Sequence, residues 1–259
     1  SGIAIAGAVA LWVAGDLLFD ERNDGPHDVI SDARHDHVTQ WLFVGGSAAV
    51  LLPRNDGVLW WAIVVGLLMA LHRRSPRTAL GGLTRLQQVV IAASLACSVG
   101  WVVAVGTDLV EAETDLTGRR LFEAVIARTG DNLREAIGVV GWLDTPTPES
   151  MLSLWWLLLG IVGGIAFWTS ARRRTAIAAA ALALFVVAPW VLETAQAQTA
   201  GLFWQGRYAL PVFVGAPLLL GGGRREHDGR PSERSIAILV TTGALVVANV
   251  SLWQQARRW

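Results

Sequence analysis

Residues 175–192 carry no charged side chain, and neither do residues 88–107, 151–169 or 235–253. A bilayer hydrocarbon core of about 30 Å is crossed by roughly 20 helical residues at about 1.5 Å each, so each stretch has the length of one crossing. In lipid, every backbone N–H and C=O needs an internal partner, which only a helix or a closed barrel supplies. A barrel would show short segments alternating in polarity, and these continuous apolar runs exclude that pattern. Composition agrees: the chain is 53% hydrophobic and only 16% charged, with a mean hydropathy of +0.45. A soluble domain of 259 residues rarely has this balance. The expected fold is therefore all-α, a polytopic transmembrane helix bundle forming a single domain over residues 1–259.

Four further apolar runs are shorter. Residues 208–222 carry Pro211 and Pro217, which kink a helix wherever neighbours repair the freed carbonyl. Residues 3–18, 38–52 and 57–71 are also apolar, and only "PRND" separates the last two. They read as a tight pair of short spans or a re-entrant hairpin. Counted by length, the chain holds about seven or eight spans. It starts on Ser and enters an apolar run at once, as expected for a fragment or a processed product of something longer.

Every basic residue is Arg, and the arginines cluster. Arg73, Arg74, Arg77 and Arg85 fall in 72–86, Arg172, Arg173 and Arg174 in 170–174, and Arg224, Arg225, Arg230 and Arg234 in 223–234. Even numbers of spans separate these loops, so the positive-inside rule places all three in the cytoplasm. Residues 108–150 and 193–207 then lie outside, in a multi-pass protein of a bacterial plasma membrane. The acidic loop 19–37 gives opposed signals: span counting puts it inside, and its low Arg content suits the outside. With a net charge of zero, no global field points to nucleic acid. The lone Cys97 excludes an intrachain disulfide and a thiolate metal site.

The outer loop 108–150 contains Leu121, Phe122, Val125 and Ile126 at helical spacing, with Arg119, Arg120, Glu123 and Arg128 on other faces. Leu133, Ile137 and Val140 continue the pattern. This predicts a pair of amphipathic helices lying on the membrane or capping the bundle. In the "WLDTPTPES" that follows, Thr147 suits an N-cap, Pro148 a first helical position and Glu149 the positive helix end.

Functional residues are sought where polar chemistry meets the apolar runs. In "GLFWQGRYALP", residues 201–211, Gln205, Arg207 and the only tyrosine, Tyr208, stand at the outer edge of a span. Trp204, Arg207 and Tyr208 fit an aromatic belt with a snorkelling arginine. Arg207 also fits a bidentate site for a lipid phosphate, with Gly206 leaving room beside it. Asp144 in "GWLDTPTP" suits a turn or cap, or an outer-face carboxylate that orients a hydroxyl or acts as a base. Glu193 ends the 175–192 run and is placed to pair with Arg207. Asp16 is the one acid well inside the first apolar run. "HDVISDARHDH" sets His27, Asp28, Asp32, His35, Asp36 and His37 at spacings that could hold a metal. It matches no metal signature and reads first as a solvated acidic loop, so no metal site is assigned. No nucleotide-binding glycine motif or catalytic triad can be assembled, and no cofactor is assigned.

The pair "GWLDTPTP" (141–148) and "QGRYALP" (205–211), in that order, resembles the C-terminal part of a family of bacterial polytopic membrane proteins. That family, defined as a domain of unknown function and recurrent in actinobacteria, has GWLDTP-like and QGRY-x-x-P motifs. The similarity covers roughly 87–222, judged by motif order and span spacing. The family in turn resembles the GT-C superfamily of glycosyltransferases. The resemblance implies a cell-envelope glycosyltransferase working on polyprenyl-phosphate-linked sugars at the outer face. Its partners would be the lipid bilayer and a lipid-linked sugar. Gln205, Arg207, Tyr208 and Asp144 carry over as motif residues. The acidic residue of the first outer loop in GT-C enzymes has no counterpart here, so no catalytic residue carries over. A flippase or transporter of lipid-linked precursors and a non-catalytic envelope scaffold are the alternatives.

Overall fold

The computed structural model describes residues 2–20, 29–53, 55–105, 114–140, 145–146, 149–202 and 205–222. Those residues are helical apart from turns and one short pairing. The helices are α1 (Gly2–Phe19), α2 (Val29–Leu51), α3 (Gly57–His72), α4 (Pro76–Gly81), α5 (Arg85–Val105), α6 (Gly118–Ala127) and α7 (Thr129–Gly138). After the two-residue strands β1 (Val139–Val140) and β2 (Thr145–Pro146) come α8 (Glu149–Thr169) and α9 (Arg172–Ala200). A 3-10 turn (Gly206–Ala209) leads to α10 (Leu210–Phe213) and α11 (Gly215–Gly222). The apolar run 235–253 and the arginine loop 223–234 lie outside the described residues.

Two helices, Arg85–Ala104 and Arg172–Gln198, are long and apolar enough to cross a membrane. The core helix of a soluble protein can pass that test, but it would be mostly buried; here 22% of each crossing window is buried. Large apolar side chains face outward instead, among them Trp101, Val103, Ile161, Phe167 and Trp168. Exposure on this scale marks a surface made for an apolar neighbour.

Small residues set the closest helix pair. Gly7 of α1 and Gly46 of α2 sit backbone against backbone, and a Cβ on Gly46 would lie 2.7 Å from the Gly7 carbonyl. Close backbone approach of this kind gives van der Waals packing where no hydrophobic gain is available. Gly15 meets Phe43, and Phe19 meets Phe43 ring to ring at 5.6 Å, so α1 and α2 run antiparallel. Here the sequence expectation needs correcting. The acidic stretch 19–37 was expected to be a loop, yet α2 begins at Val29 and takes up its second half. Polar residues hid the helix because helical bonding continues past the apolar stripe. His37 belongs to this helix, stacked edge-on to Trp41. His27 and Asp28 lie outside the described residues, as do the side chains of Asp32, His35 and Asp36. Among the described residues no metal-holding group of His, Cys, Asp or Glu forms.

The core is built on Trp12, Trp60, Phe43, Leu11 and Leu68, all fully buried. Trp12 Nε1 donates to the Pro211 carbonyl at 2.9 Å, which ties α1 to α10. Gly215 packs against the same indole. Pro211 stands in the first turn of α10, where its missing N–H costs nothing.

At one end of the bundle, Asp16 joins three helices. Arg174 grips both its carboxylate oxygens, at 2.7 and 3.0 Å, and His72 Nε2 lies 2.9 Å from Oδ1. The C-terminal ends of α1 and α3 and the N-terminal end of α9 therefore meet there. Ser170 Oγ donates to the Leu220 carbonyl and brings the end of α11 to the same place. The loops 72–86 and 170–174 thus share one end. The helices α6 and α7 pack against the opposite, C-terminal half of α9.

Candidate functional site

The site is best built from α9 outward. This helix runs 29 residues, past the apolar stretch ending at 192 and on to Ala200. Its last turns carry Trp190, Glu193 and Gln198, which fasten the α6–α7 pair and the segment just before it. Trp190 Nε1 donates to Thr129 Oγ1 at 2.8 Å. Arg128 Nη1 donates to Glu193 Oε1 at 2.7 Å, and the Glu193 side chain is 0% exposed. Gln198 Nε2 donates to the Leu116 carbonyl at 2.8 Å. Between them Ala197 forms a small core with Leu121 and Val125.

The amphipathic pair is thus a cap. Its apolar stripe through Leu121 and Val125 packs on α9, while Phe122 and Ile126 stay exposed. This contact with α9 is the capping placement, one of the two open from sequence. Glu193 takes Arg128 as its described partner; the side chain of Arg207, its partner expected from sequence, lies outside the described residues.

The QGRY turn packs under this cap. A Cβ on Gly206 would fall 1.5 Å from the Asn132 carbonyl and 3.0 Å from the Ala136 nitrogen. Only glycine lets the turn lie on α7, a tighter reason than leaving room for Arg207. Gly206 N–H points at Glu135 Oε2, 3.4 Å away. Tyr208 donates its N–H to the Gln205 carbonyl at 2.9 Å and packs half-buried against the main core. The backbone of Arg207 lies in the same 3-10 turn. Asp144 lies outside the described residues, although Val140 and Thr145 on either side of its segment pair antiparallel.

Several buried polar atoms in this layer have no hydrogen-bond partner among the described residues: Asn132 Oδ1, Thr194 Oγ1 and Gln205 Oε1. Each leaves a desolvation cost of about 1–3 kcal/mol unmet. A narrow cleft opens beside them, lined by Thr129, Asn132, Phe185, Pro189, Trp190 and Gly206. Pro189 has no N–H to give the Phe185 carbonyl, which leaves one backbone acceptor in a wall that is otherwise mostly apolar, with Leu133 and Val186 also lining it. Its volume of about 10 Å³ holds one water molecule.

Gln205 and Tyr208 are therefore brought to the cap, with the Arg207 backbone between them. Asn132, Glu135, Thr129 and Trp190 complete the surroundings and went unseen in the sequence. Two signals pointed that way: Glu193 and Gln198 continue α9 beyond its apolar run, and Gly206 precedes the arginine. Searches against protein-family models, curated proteins and solved structures find no match.

Proposed function

We propose that the chain is a multi-pass protein of a bacterial plasma membrane, with about seven or eight spans. In this reading the cap end faces outward. Gln205, Arg207 and Tyr208 there hold the phosphate and first sugar of a polyprenyl-phosphate-linked donor. The activity is glycosyl transfer of the GT-C kind. The sugar's C1–O bond to phosphate breaks as an acceptor hydroxyl attacks C1, and the hydroxyl proton passes to water. Arg207 neutralises the charge that develops on the departing phosphate, in a partly dry site where such stabilisation is strong. Tyr208 stacks on or hydrogen-bonds to the sugar.

One observation carries the proposal. The turn bearing Arg207 lies against a buried polar layer whose acceptors, Asn132 Oδ1 and Gln205 Oε1, lack donors among the described residues. Sugar hydroxyls are donors of the right kind. The narrow cleft admits about one water, so the sugar enters only when the cap shifts from α9. A transporter would place charges at mid-depth. The buried charges described here, Asp16 and Glu193, stand near opposite ends of the bundle instead. The test is direct binding of a polyprenyl-phosphate sugar to the purified chain and to Asn132→Ala. A tenfold or greater loss in the variant supports the site, and unchanged binding removes it.

A further inference from the structure

We propose that the Asp16 end of the bundle binds the phosphate of an anionic phospholipid on a rim of arginines. The rim is Arg73, Arg77, Arg85 and Arg172. The proposal rests on the membrane reading above and is independent of the site at Arg207.

The arginines at this end divide into two sets. An inner set is spent on the protein. Arg174 holds Asp16, Arg74 Nε donates to the Phe19 carbonyl at 3.4 Å, and Arg173 donates to the Ala70 carbonyl. Those two carbonyls belong to the last turns of α1 and α3, where cations are favoured. The rim residues are exposed, and their side chains make no hydrogen bond or ion pair with any described residue. Two of its members stand where the fold disfavours them. Arg85 opens α5 and Arg172 opens α9, each beside the positive end of a helix dipole. Ala171, the N-cap of α9, supplies no side-chain acceptor, and the first turn holds no acid. A third member, Arg73, is the left-handed C-cap of α3, at φ 54° with its N–H bonded to the Met69 carbonyl. Anionic groups at the rim would offset the dipole costs at Arg85 and Arg172.

What makes the anion a lipid is the surface beneath it. Leu86 and Val89 follow Arg85 on α5 and are exposed. Phe167 and Trp168 close α8 just before Arg172, and Trp168 is 75% exposed. Arginines at a helix end with bare apolar side chains one turn away match a phosphate headgroup above two acyl chains. With no lysine in the chain, every cation is a planar fork able to take two phosphate oxygens at once. The cytoplasmic leaflet, to which the positive-inside rule assigns these loops, is the one that carries anionic lipid.

The experiment compares thermal melts of the full chain in phosphatidylglycerol and phosphatidylcholine nanodiscs, for the wild type and for Arg85→Gln/Arg172→Gln. Wild type is expected to melt higher in the anionic lipid, with the gain shrinking as salt is added. The double variant should match wild type in phosphatidylcholine and keep less than half of that gain. The same melt in both lipids for wild type overturns the proposal, as does a double variant that keeps the full gain. An equal gain from inorganic phosphate in phosphatidylcholine would overturn the lipid as the source. A chain that incorporates into neither lipid defeats the membrane reading itself, which separates the two failures.

Discussion

Arg128 and Glu193 lie 65 residues apart in sequence, and their 2.7 Å contact closes the cap onto α9. Glu193 is wholly buried while Arg128 keeps about a third of its side chain in contact with solvent. Arg128→Ala takes a charged partner from the buried Glu193 carboxylate and should cost about 2–3 kcal/mol, at or below the lower end for breaking a buried pair. Arg128→Leu/Glu193→Leu removes both charges and should recover most of that loss. Thermal melts of the three proteins check this, and an Arg128→Ala protein as stable as wild type would contradict it.

Gly206→Ala should be among the most damaging small substitutions. Its Cβ would land 1.5 Å from the Asn132 carbonyl, so α7 must move or the turn must lift. Overpacking of this kind costs about 1–3 kcal/mol or more. Gly130→Ala is the control, because nothing lies within 4 Å of its added Cβ. Comparable melting temperatures for the two variants would show that the turn does not pack on α7.

Asp16 predicts a contrast between ion pairs. Asp16→Ala leaves Arg174 and His72 without the carboxylate that binds α1 to α3 and α9. A loss of roughly 3 kcal/mol is expected for this partly buried pair. Glu123→Ala breaks only the exposed Arg119–Glu123 pair and should change stability by about 0.5 kcal/mol or less. Equal losses in both would remove Asp16 as the clasp of this end.

Sidedness can be read from outside intact cells. In a protein with Cys97 replaced, an impermeant thiol reagent should label a cysteine at the exposed position Asp131 and spare one at Arg172. The opposite labelling would invert the proposed topology.

The apolar stretches carried most of the fold. Residues 57–71 became α3 (Gly57–His72), and 151–169 became α8 (Glu149–Thr169), because helical length and hydropathy are local properties. Where polar residues lie on a helix, that signal fails. The start of α2 at Val29 and the last turns of α9 were both hidden. Glu193 and Gln198 look like the end of a span, yet Glu193 is buried under a protein cap and the exposed Gln198 still bonds to the Leu116 carbonyl. The candidate site was half legible. Gln205 and Tyr208 stood out by their place at the end of a span. Asn132, Thr129 and Trp190 did not, since a contact between α7 and α9 leaves no trace in either segment alone. For the same reason Asp16 showed only as an oddity. Its partner Arg174 lies 158 residues away.

Arg207 offers the most direct test of the outer-face site. An interfacial anchor tolerates Lys, whose stem snorkels as well as that of Arg. A two-pronged phosphate contact does not, because an ammonium cannot reproduce the planar fork. Binding of a polyprenyl phosphate should be measured for wild type, Arg207→Lys and Arg207→Ala, with a melt of each to show that all are folded. Losing one charge-assisted bond of about 1.5–3 kcal/mol weakens binding roughly tenfold or more. The account predicts that loss in both variants at unchanged stability. Equal binding by wild type and Arg207→Lys would contradict it and leave Arg207 as an interfacial anchor.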